Sequence, residues 1–249
     1  MELSVFSNVI PFVLSCTIVC LSGNSVIKAK HPIIVLTIIG VCIYFLAQIG
    51  CYMFSLAMEE KYKDPFVHWD KPIIYIYPKE NMEVEVTVST PEKLTVTYPK
   101  YNEGWKVKAL TDGTLIDQNN KKYYALYWEG KGDNNTIKSD GFVVKGEDVA
   151  SFLEEKLEML GLNNKESNEF IMYWLPKLEG NKYNYIRFKT MDEINSNMKL
   201  NINPEPDTLI RIMMEYKGLD KKIEVKEQKL EKRERSGYTV VEWGGTEIK

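Results

Sequence analysis

Two long apolar runs without a charged residue open the chain, over residues 3–27 and 32–58. Each is longer than the roughly 20 residues that a helix needs to cross a bilayer. The pattern therefore predicts a two-helix transmembrane hairpin, residues 1–58, that contacts the lipid bilayer through both runs. For the first run a cleaved signal peptide is the alternative, although the chain begins Met-Glu-Leu without the positive segment that such a peptide carries. A buried helical hairpin in a soluble core is the other alternative.

After a charged juxtamembrane spacer, residues 59–71, the apolar positions recur every second residue. The stretches IIYIYP, MEVEVTVS and KLTVTYP alternate in this way, and prolines separate them. GWKVKAL, TLIDQ and KYYALYWEG continue the pattern, with turn signals at 111–113 and 119–120. The alternation predicts that KPIIYIYP begins a β-rich domain over residues 72–249.

From Gly146 the apolar period changes to that of a helix. GEDVASFLEEKLEMLGL places its apolar residues on one stripe: Val149, Phe152, Leu153, Leu157 and Leu160. NNKESNEFIMYWLPKL predicts a second helix, with Asn163 and Glu166 at the spacing of a capping box and Pro176 near its end. We expect the two helices to form a hairpin that packs on the sheet.

Strand patterns return in NYIRFK, KLNI, TLIRIMMEY, KIEVKEQ and YTVVEW, and PEPD is a turn signal before TLIRIMMEY. The order of strands, two helices and strands again predicts an α+β fold. The expected architecture is an N-terminal two-helix transmembrane hairpin, followed by a mostly antiparallel β domain with an inserted helical hairpin.

Residue types limit the chemistry of this domain. All four cysteines lie in the apolar runs, and the two histidines, His31 and His68, precede the domain. This distribution argues against thiolate or histidine metal sites and against histidine-dependent catalysis, so no metal and no cofactor is expected. GKGDNNTIKSDG has the spacing of neither a phosphate-binding nor a calcium-binding loop. The domain carries no basic stripe, so we do not expect it to bind nucleic acid.

Tryptophan and glutamate are paired at two predicted strand ends, in YWEG and VEWGG. Trp128, Glu129, Glu242 and Trp243 are therefore candidate ligand-binding residues, because indole faces stack on sugar rings and carboxylates bind hydroxyl groups. Glu129 and Glu242 are also a speculative acid and base of a glycosidase. The alternative is that both tryptophans are core residues, as expected for Trp105 and Trp174. Arg187 and Arg211, within apolar strands, are expected to pair with Glu169 or Glu215.

Seven stretches together resemble a family of bacterial cell-envelope proteins, lipoproteins or membrane-anchored proteins with no established activity. They are DKPIIYIYP, LTVTYPKYNEGW, ALYWEG, GFVVKGEDVASFLEEKL, NEFIMYWLPKLEGNKYNYIRF, PEPDTLIRI and GYTVVEWGG. The resemblance covers about residues 70–247 and implies an exported domain. It implies no catalytic activity and does not extend to the apolar hairpin.

Lysines near the ends of the apolar runs are almost evenly divided between the hairpin loop and the downstream flank, so the charge rule favours neither orientation strongly. The resemblance favours a domain outside the bacterial plasma membrane. The leading interpretation is a membrane-anchored, extracytoplasmic binding or structural module of the cell envelope, with cell-wall glycan or an envelope protein as its partner, and not an enzyme. The alternatives are a carboxylate-dependent hydrolase of wall sugars and a cytoplasmic regulatory domain on a membrane hairpin.

Overall fold

A computed structural model describes residues 32–61, 67–90, 94–132 and 136–248. The chain divides after Asp64 into two compact units, residues 1–64 and 65–249. The first strand of the second unit begins at Val67, within the interval 59–71 that the sequence suggested as a spacer.

One helix, α1 (Pro32–Lys61), is described in the first unit. Its segment Thr37–Leu56, 20 residues, is long and apolar enough to cross a membrane, and large side chains along it such as Phe45 and Phe54 are exposed. The apolar run 3–27 lies outside the described residues. The structure therefore supports one candidate span, and the two-helix hairpin stays a prediction.

The second unit is a mixed α and β domain with two sheets. Its strands are β1 (Val67–Tyr77), β2 (Met82–Ser89), β3 (Leu94–Tyr98), β4 (Trp105–Ala109), β5 (Leu115–Ile116), β6 (Lys122–Tyr123), β7 (Leu126–Gly132), β8 (Asp140–Lys145), β9 (Tyr183–Phe188), β10 (Lys199–Asn203), β11 (Thr208–Leu219), β12 (Lys226–Glu227) and β13 (Thr239–Glu247). Its helices are α2 (Val149–Met159), α3 (Asn164–Leu178) and α4 (Met191–Asn197), with a 3₁₀ turn at Gly146–Asp148 before α2.

Eight strands form the large sheet in the order β12-β8-β9-β11-β13-β1-β7-β3, and five form the small sheet in the order β10-β2-β4-β5-β6. Most neighbours are antiparallel, as the alternating pattern predicted. Two pairs are parallel: β12 with β8, and β11 with β13 near the middle of the sheet. Because β11 and β13 are parallel, the chain must return to the starting end of β11 before β13 begins, and it passes through β12 on the way. The alternating pattern of apolar residues does not predict this return.

The large sheet is the middle of three layers, because each of its faces contributes to a different hydrophobic core. On one face Ile73 and Tyr75 of β1 pack with residues of α2 and α3, including Leu153 and Phe170. On the other face the alternate residues of β1, such as Ile74, pack with the inward residues of the small sheet, among them Val84, Val86, Trp105 and Val107. The central strands are thus buried on both faces, which explains why they are almost continuously apolar.

The α2–α3 hairpin forms where the helical period predicted it. Val149, Leu153 and Leu157 of α2 are fully buried against the sheet. The helices are joined through Gly161, whose φ of +90° belongs to the left-handed region that favours glycine. The Asn163 side chain accepts a hydrogen bond from the Glu166 N–H, and the Glu166 carboxylate accepts one from the Asn163 N–H, so the capping box is confirmed.

Glu166 also ties the segment before β13 to this hairpin. Its buried carboxylate accepts hydrogen bonds from both terminal nitrogens of Arg235, at 2.7 and 3.1 Å. The Arg235 guanidinium in turn lies 5.0 Å from the ring centre of Tyr77. The charged stretch 229–237 is therefore anchored to the fold at Arg235.

Replacing Asn163 with alanine should lower the free energy of unfolding by about 1 kcal/mol, because the first turn of α3 loses its side-chain acceptor. Urea unfolding of the full chain in detergent micelles, followed by tryptophan fluorescence, measures this change. Asn102→Ala, at an exposed position, is the matched control and should leave the midpoint unchanged. Equal midpoints for the two variants would mean that the capping box does not stabilise the domain.

Candidate functional site

Two of the predicted site residues meet inside the domain. The Trp128 indole Nε1 donates a hydrogen bond of 3.0 Å to Glu242 Oε1, and both side chains are fully buried. Trp128 lies on β7 and Glu242 on β13, the two strands that flank β1. Their side chains point from the large sheet towards the small sheet, where Trp128 belongs to the core between the two.

Arg211 neutralises the buried Glu242 carboxylate. The two residues lie opposite each other in the parallel β11–β13 pair, and Arg211 Nε donates to Glu242 Oε2 at 2.6 Å. Arg211 Nη1 donates to Asn195 Oδ1 at 2.8 Å and to the Met198 carbonyl at 2.7 Å, which joins α4 and the residue after it to the sheet. Both Glu242 oxygens thus accept hydrogen bonds from buried side chains, and Arg211 and Glu242 form a structural ion pair.

The other two predicted residues lie elsewhere. Trp243 is fully buried on the helix-covered face of the sheet, where its ring centre is 5.3 Å from that of Phe170. Glu129 is half-buried and accepts a hydrogen bond from the Tyr127 hydroxyl. Because neighbouring residues of a strand point to opposite faces, Glu129 and Trp128 are separated by the sheet. The structure therefore does not bring the four residues into one cleft, and it leaves Glu129 and Glu242 on opposite faces.

A second buried ion cluster surrounds Arg187 of β9. Its guanidinium contacts Asp140 at 3.1 Å, Glu193 at 3.0 Å and Glu215 at 3.3 Å, and Lys189 Nζ lies 3.2 Å from Glu215. The predicted pairing of Arg187 with Glu215 is thus confirmed. Arg211 pairs with Glu242 and not with Glu169 or Glu215, so the predicted partner of Arg211 was wrong.

A row of side chains leads from the core to the surface on the helix-covered face of the large sheet. Strand register places Ile212, Trp243, Ile73, Tyr127 and Tyr98 side by side across β11, β13, β1, β7 and β3. The first three are buried, Tyr127 is half-buried and Tyr98 is 55% exposed. The row thus changes from aliphatic and indole side chains to tyrosine as it leaves the cover of the helices.

A groove of about 300 Å³ lies where this row reaches the surface. We call it the tyrosine groove, and its lining includes Tyr98, Tyr123, Tyr124, Tyr127, Lys71 and Lys122. The Trp and Glu pattern of the sequence did not indicate this groove. A signal was present: three of these tyrosines lie within five residues in YYALY, directly before the WEG motif that was singled out.

Hydrogen bonds to carboxylates hold the tyrosines of this region in place. Tyr75, whose ring centre lies 6.3 Å from that of Tyr124, donates from its hydroxyl to Glu169 of α3 at 2.6 Å, and Tyr123 donates to Asp117 at 3.2 Å. Burial and the hydrogen bond to Glu129 both raise the pKa of Tyr127. These phenols therefore stay protonated at neutral pH.

Other concave regions are present among the described residues. A mainly polar depression of about 520 Å³ lies at β2 and β4 and includes Glu85 and Lys106, which form a salt bridge of 2.8 Å. Another of about 590 Å³ lies between α2 and β8 and includes Phe142 and Phe152. Among the described residues, no group of three or more His, Cys, Asp or Glu side chains is arranged to hold a metal ion.

Comparison with protein-family models, curated proteins and solved structures finds no match to this chain.

Arg211→Met should lower the free energy of unfolding by about 3–5 kcal/mol, because the Glu242 carboxylate stays buried without its cation. Glu242→Gln keeps an acceptor for Trp128 and removes the charge, so the double variant Arg211→Met/Glu242→Gln should lose less stability than the sum of the single variants. Urea midpoints of the four proteins form the double-mutant cycle, and Lys232→Met, at an exposed position, is the control for losing a cation. Strict additivity would contradict the structural role of the pair.

The pH dependence of stability should report on Glu193. Burial opposes its ionisation, but hydrogen bonds from the Thr190 N–H and the Arg187 guanidinium outweigh this and hold the pKa of Glu193 below its ordinary value. A carboxyl group with a lowered pKa in the folded state stabilises the protein above its unfolded pKa, and this contribution is lost as the pH falls through the folded pKa.

Glu193→Gln should therefore be less stable than the parent protein at pH 7, and the difference should shrink as the pH falls below the ordinary glutamate pKa of about 4.3. Urea midpoints across this range measure the effect. Glu154→Gln, on the exposed face of α2, should show no such pH-dependent difference. A constant difference for Glu193→Gln at all pH values would exclude the charge as its cause.

Proposed function

We propose that the protein is a membrane-anchored, extracytoplasmic binding module of the bacterial cell envelope, with a wall glycan or an envelope protein as its partner. The observation that carries this proposal is the apolar helix segment Thr37–Leu56, which precedes a separate folded unit. Transfer of a helix of this length and composition from water into lipid lowers its free energy. The folded domain would then be held close to the membrane surface.

One feature of the sequence is compatible with the outer side and another favours it. The folded domain contains no cysteine, so export to an oxidising compartment would form no unwanted disulfide in it. The stretches from DKPIIYIYP to VEWGG resemble bacterial envelope proteins. A cytoplasmic regulatory domain is the alternative that the orientation experiment distinguishes.

The arrangement of the carboxylates favours binding over hydrolysis. A glycosidase needs two carboxyl groups on either side of one sugar linkage, roughly 5–9.5 Å apart in a shared cleft. Glu242 is fully buried and bound to Arg211 and Trp128, whereas Glu129 lies on the other face of the sheet. The exposed tyrosines, in contrast, offer a surface suited to recognition.

Orientation is tested by labelling single cysteines in intact cells with a maleimide that does not cross the inner membrane. Cys16, Cys20, Cys42 and Cys51 are first replaced by serine, and one cysteine is then introduced by Lys221→Cys, an exposed position after β11. We expect labelling once any outer barrier is opened, without breaking the inner membrane.

Lys28→Cys is the matched control, because residue 28 precedes α1 and must lie on the opposite side if Thr37–Leu56 spans the bilayer. We expect it to react only after the inner membrane is broken. Labelling of both sites from outside would contradict the span. The reverse pattern, with residue 28 labelled and residue 221 protected, would place the domain in the cytoplasm and overturn the envelope function.

A further inference from the structure

The tyrosine groove lies at the exposed end of the row of side chains that runs from Ile212 to Tyr98. Ile212, Trp243 and Ile73 of this row are at most 4% exposed, but the next two positions are the half-buried Tyr127 and the 55% exposed Tyr98. A side chain at the edge of a core gains from apolar contact on one side and from a hydrogen bond on the other, and tyrosine offers both. The groove thus combines a sheet floor with tyrosine side chains that are partly exposed to solvent.

The aromatic rings of the groove are held in place by contacts with one another and with residues outside the lining. The ring centres of Tyr98 and Tyr123 are 5.5 Å apart in an edge-to-face arrangement. Tyr124, 55% exposed, lies 6.3 Å from Tyr75, whose hydroxyl is fixed by Glu169 of α3. A ligand that meets pre-positioned rings does not have to order them, which favours affinity.

The charged side chains that line the groove are all cationic. Lys71 and Lys122 contribute to its surface, and among the residues that the structure describes no aspartate or glutamate does so. Lys121 lies at 5.4 Å from the ring centre of Tyr123, and Lys165 of α3 at 4.5 Å from that of Tyr124. The nearby carboxylates Asp117 and Glu129 accept hydrogen bonds from tyrosine hydroxyls instead. A ligand in the groove therefore meets aromatic faces and ammonium groups together.

We propose that the tyrosine groove binds an acidic sugar, whose rings lie on the faces of Tyr98 and Tyr124 and whose carboxylate meets Lys71 and Lys122. Sugar rings present C–H groups to an aromatic face, and a carboxylate makes charge-assisted hydrogen bonds to lysine. The proposal rests on the proposed binding function and specifies its site and its ligand class.

Titration calorimetry of the full chain in detergent micelles tests the proposal with a tetragalacturonate and its fully methyl-esterified form. The two probes share their rings and differ in charge. We expect the acid to bind about tenfold more tightly than the ester, and this preference to shrink as salt is added. Equal affinity for the two probes, or binding of neither, would overturn the acidic-sugar proposal.

Variants then locate the site. Tyr124→Ala should weaken binding of both probes roughly threefold to tenfold, whereas Tyr124→Phe should keep it, because stacking needs the ring and not the hydroxyl. Lys122→Gln should reduce the preference for the acid and leave binding of the ester unchanged. Met172→Ala, which removes a 68% exposed apolar side chain of α3 outside the groove lining, should change neither affinity.

Tyr124 and Lys122 are exposed, so these variants should keep the urea midpoint of the parent protein. Unchanged binding in Tyr124→Ala and in a second variant, Tyr98→Ala, would show that the sugar binds elsewhere and would overturn the assignment of the groove. The calorimetry does not depend on membrane orientation. A failure of the proposed function in the labelling experiment is therefore distinguishable from a failure of this site.

Discussion

Burial of both faces of the central strands governs the architecture of the folded domain. Strands β1, β11 and β13 lie between the α2–α3 hairpin and the small sheet, so each of their side chains must be apolar or find an internal partner. A single charged group in this layer would cost several kcal/mol without its counterion. The two cores and the buried ion pairs follow from this one constraint.

The buried ion pairs join elements that are distant in sequence. Arg211 and Glu242 face each other across the parallel β11–β13 pair, and the same guanidinium reaches Asn195 of α4. A shift of one residue between these strands would separate Arg211 from Glu242 and leave both charges buried. The pair therefore selects the register of the parallel strands, which apolar side chains alone specify less well.

The groove exists because the covering layer is narrower than the sheet. Helices α2 and α3 cover the middle of one face, and the sheet continues past them through β7 to β3. Beyond the helices the row of core residues is continued by tyrosine side chains, and lysine side chains lie beside them. A ligand bound in the groove contacts strands that the core already stabilises. Binding therefore does not have to order a further part of the chain.

The sequence by itself determined the apolar helix, most strands, the α2–α3 hairpin with its capping box, and the buried state of Trp105 and Trp174, because these features depend on local period and on side-chain type. It did not reveal α4, a short helix in a stretch without apolar periodicity, or the parallel β11–β13 pair. Tertiary structure alone decided that Trp128 and Glu242 form a buried contact and that Glu129 and Trp243 lie apart from it. It also decided that Tyr98, 25 residues before Tyr123, lines one groove with that residue and with Lys71. The physical reason is that strand order and the width of the helical layer, and not spacing along the chain, determine which side chains share a face.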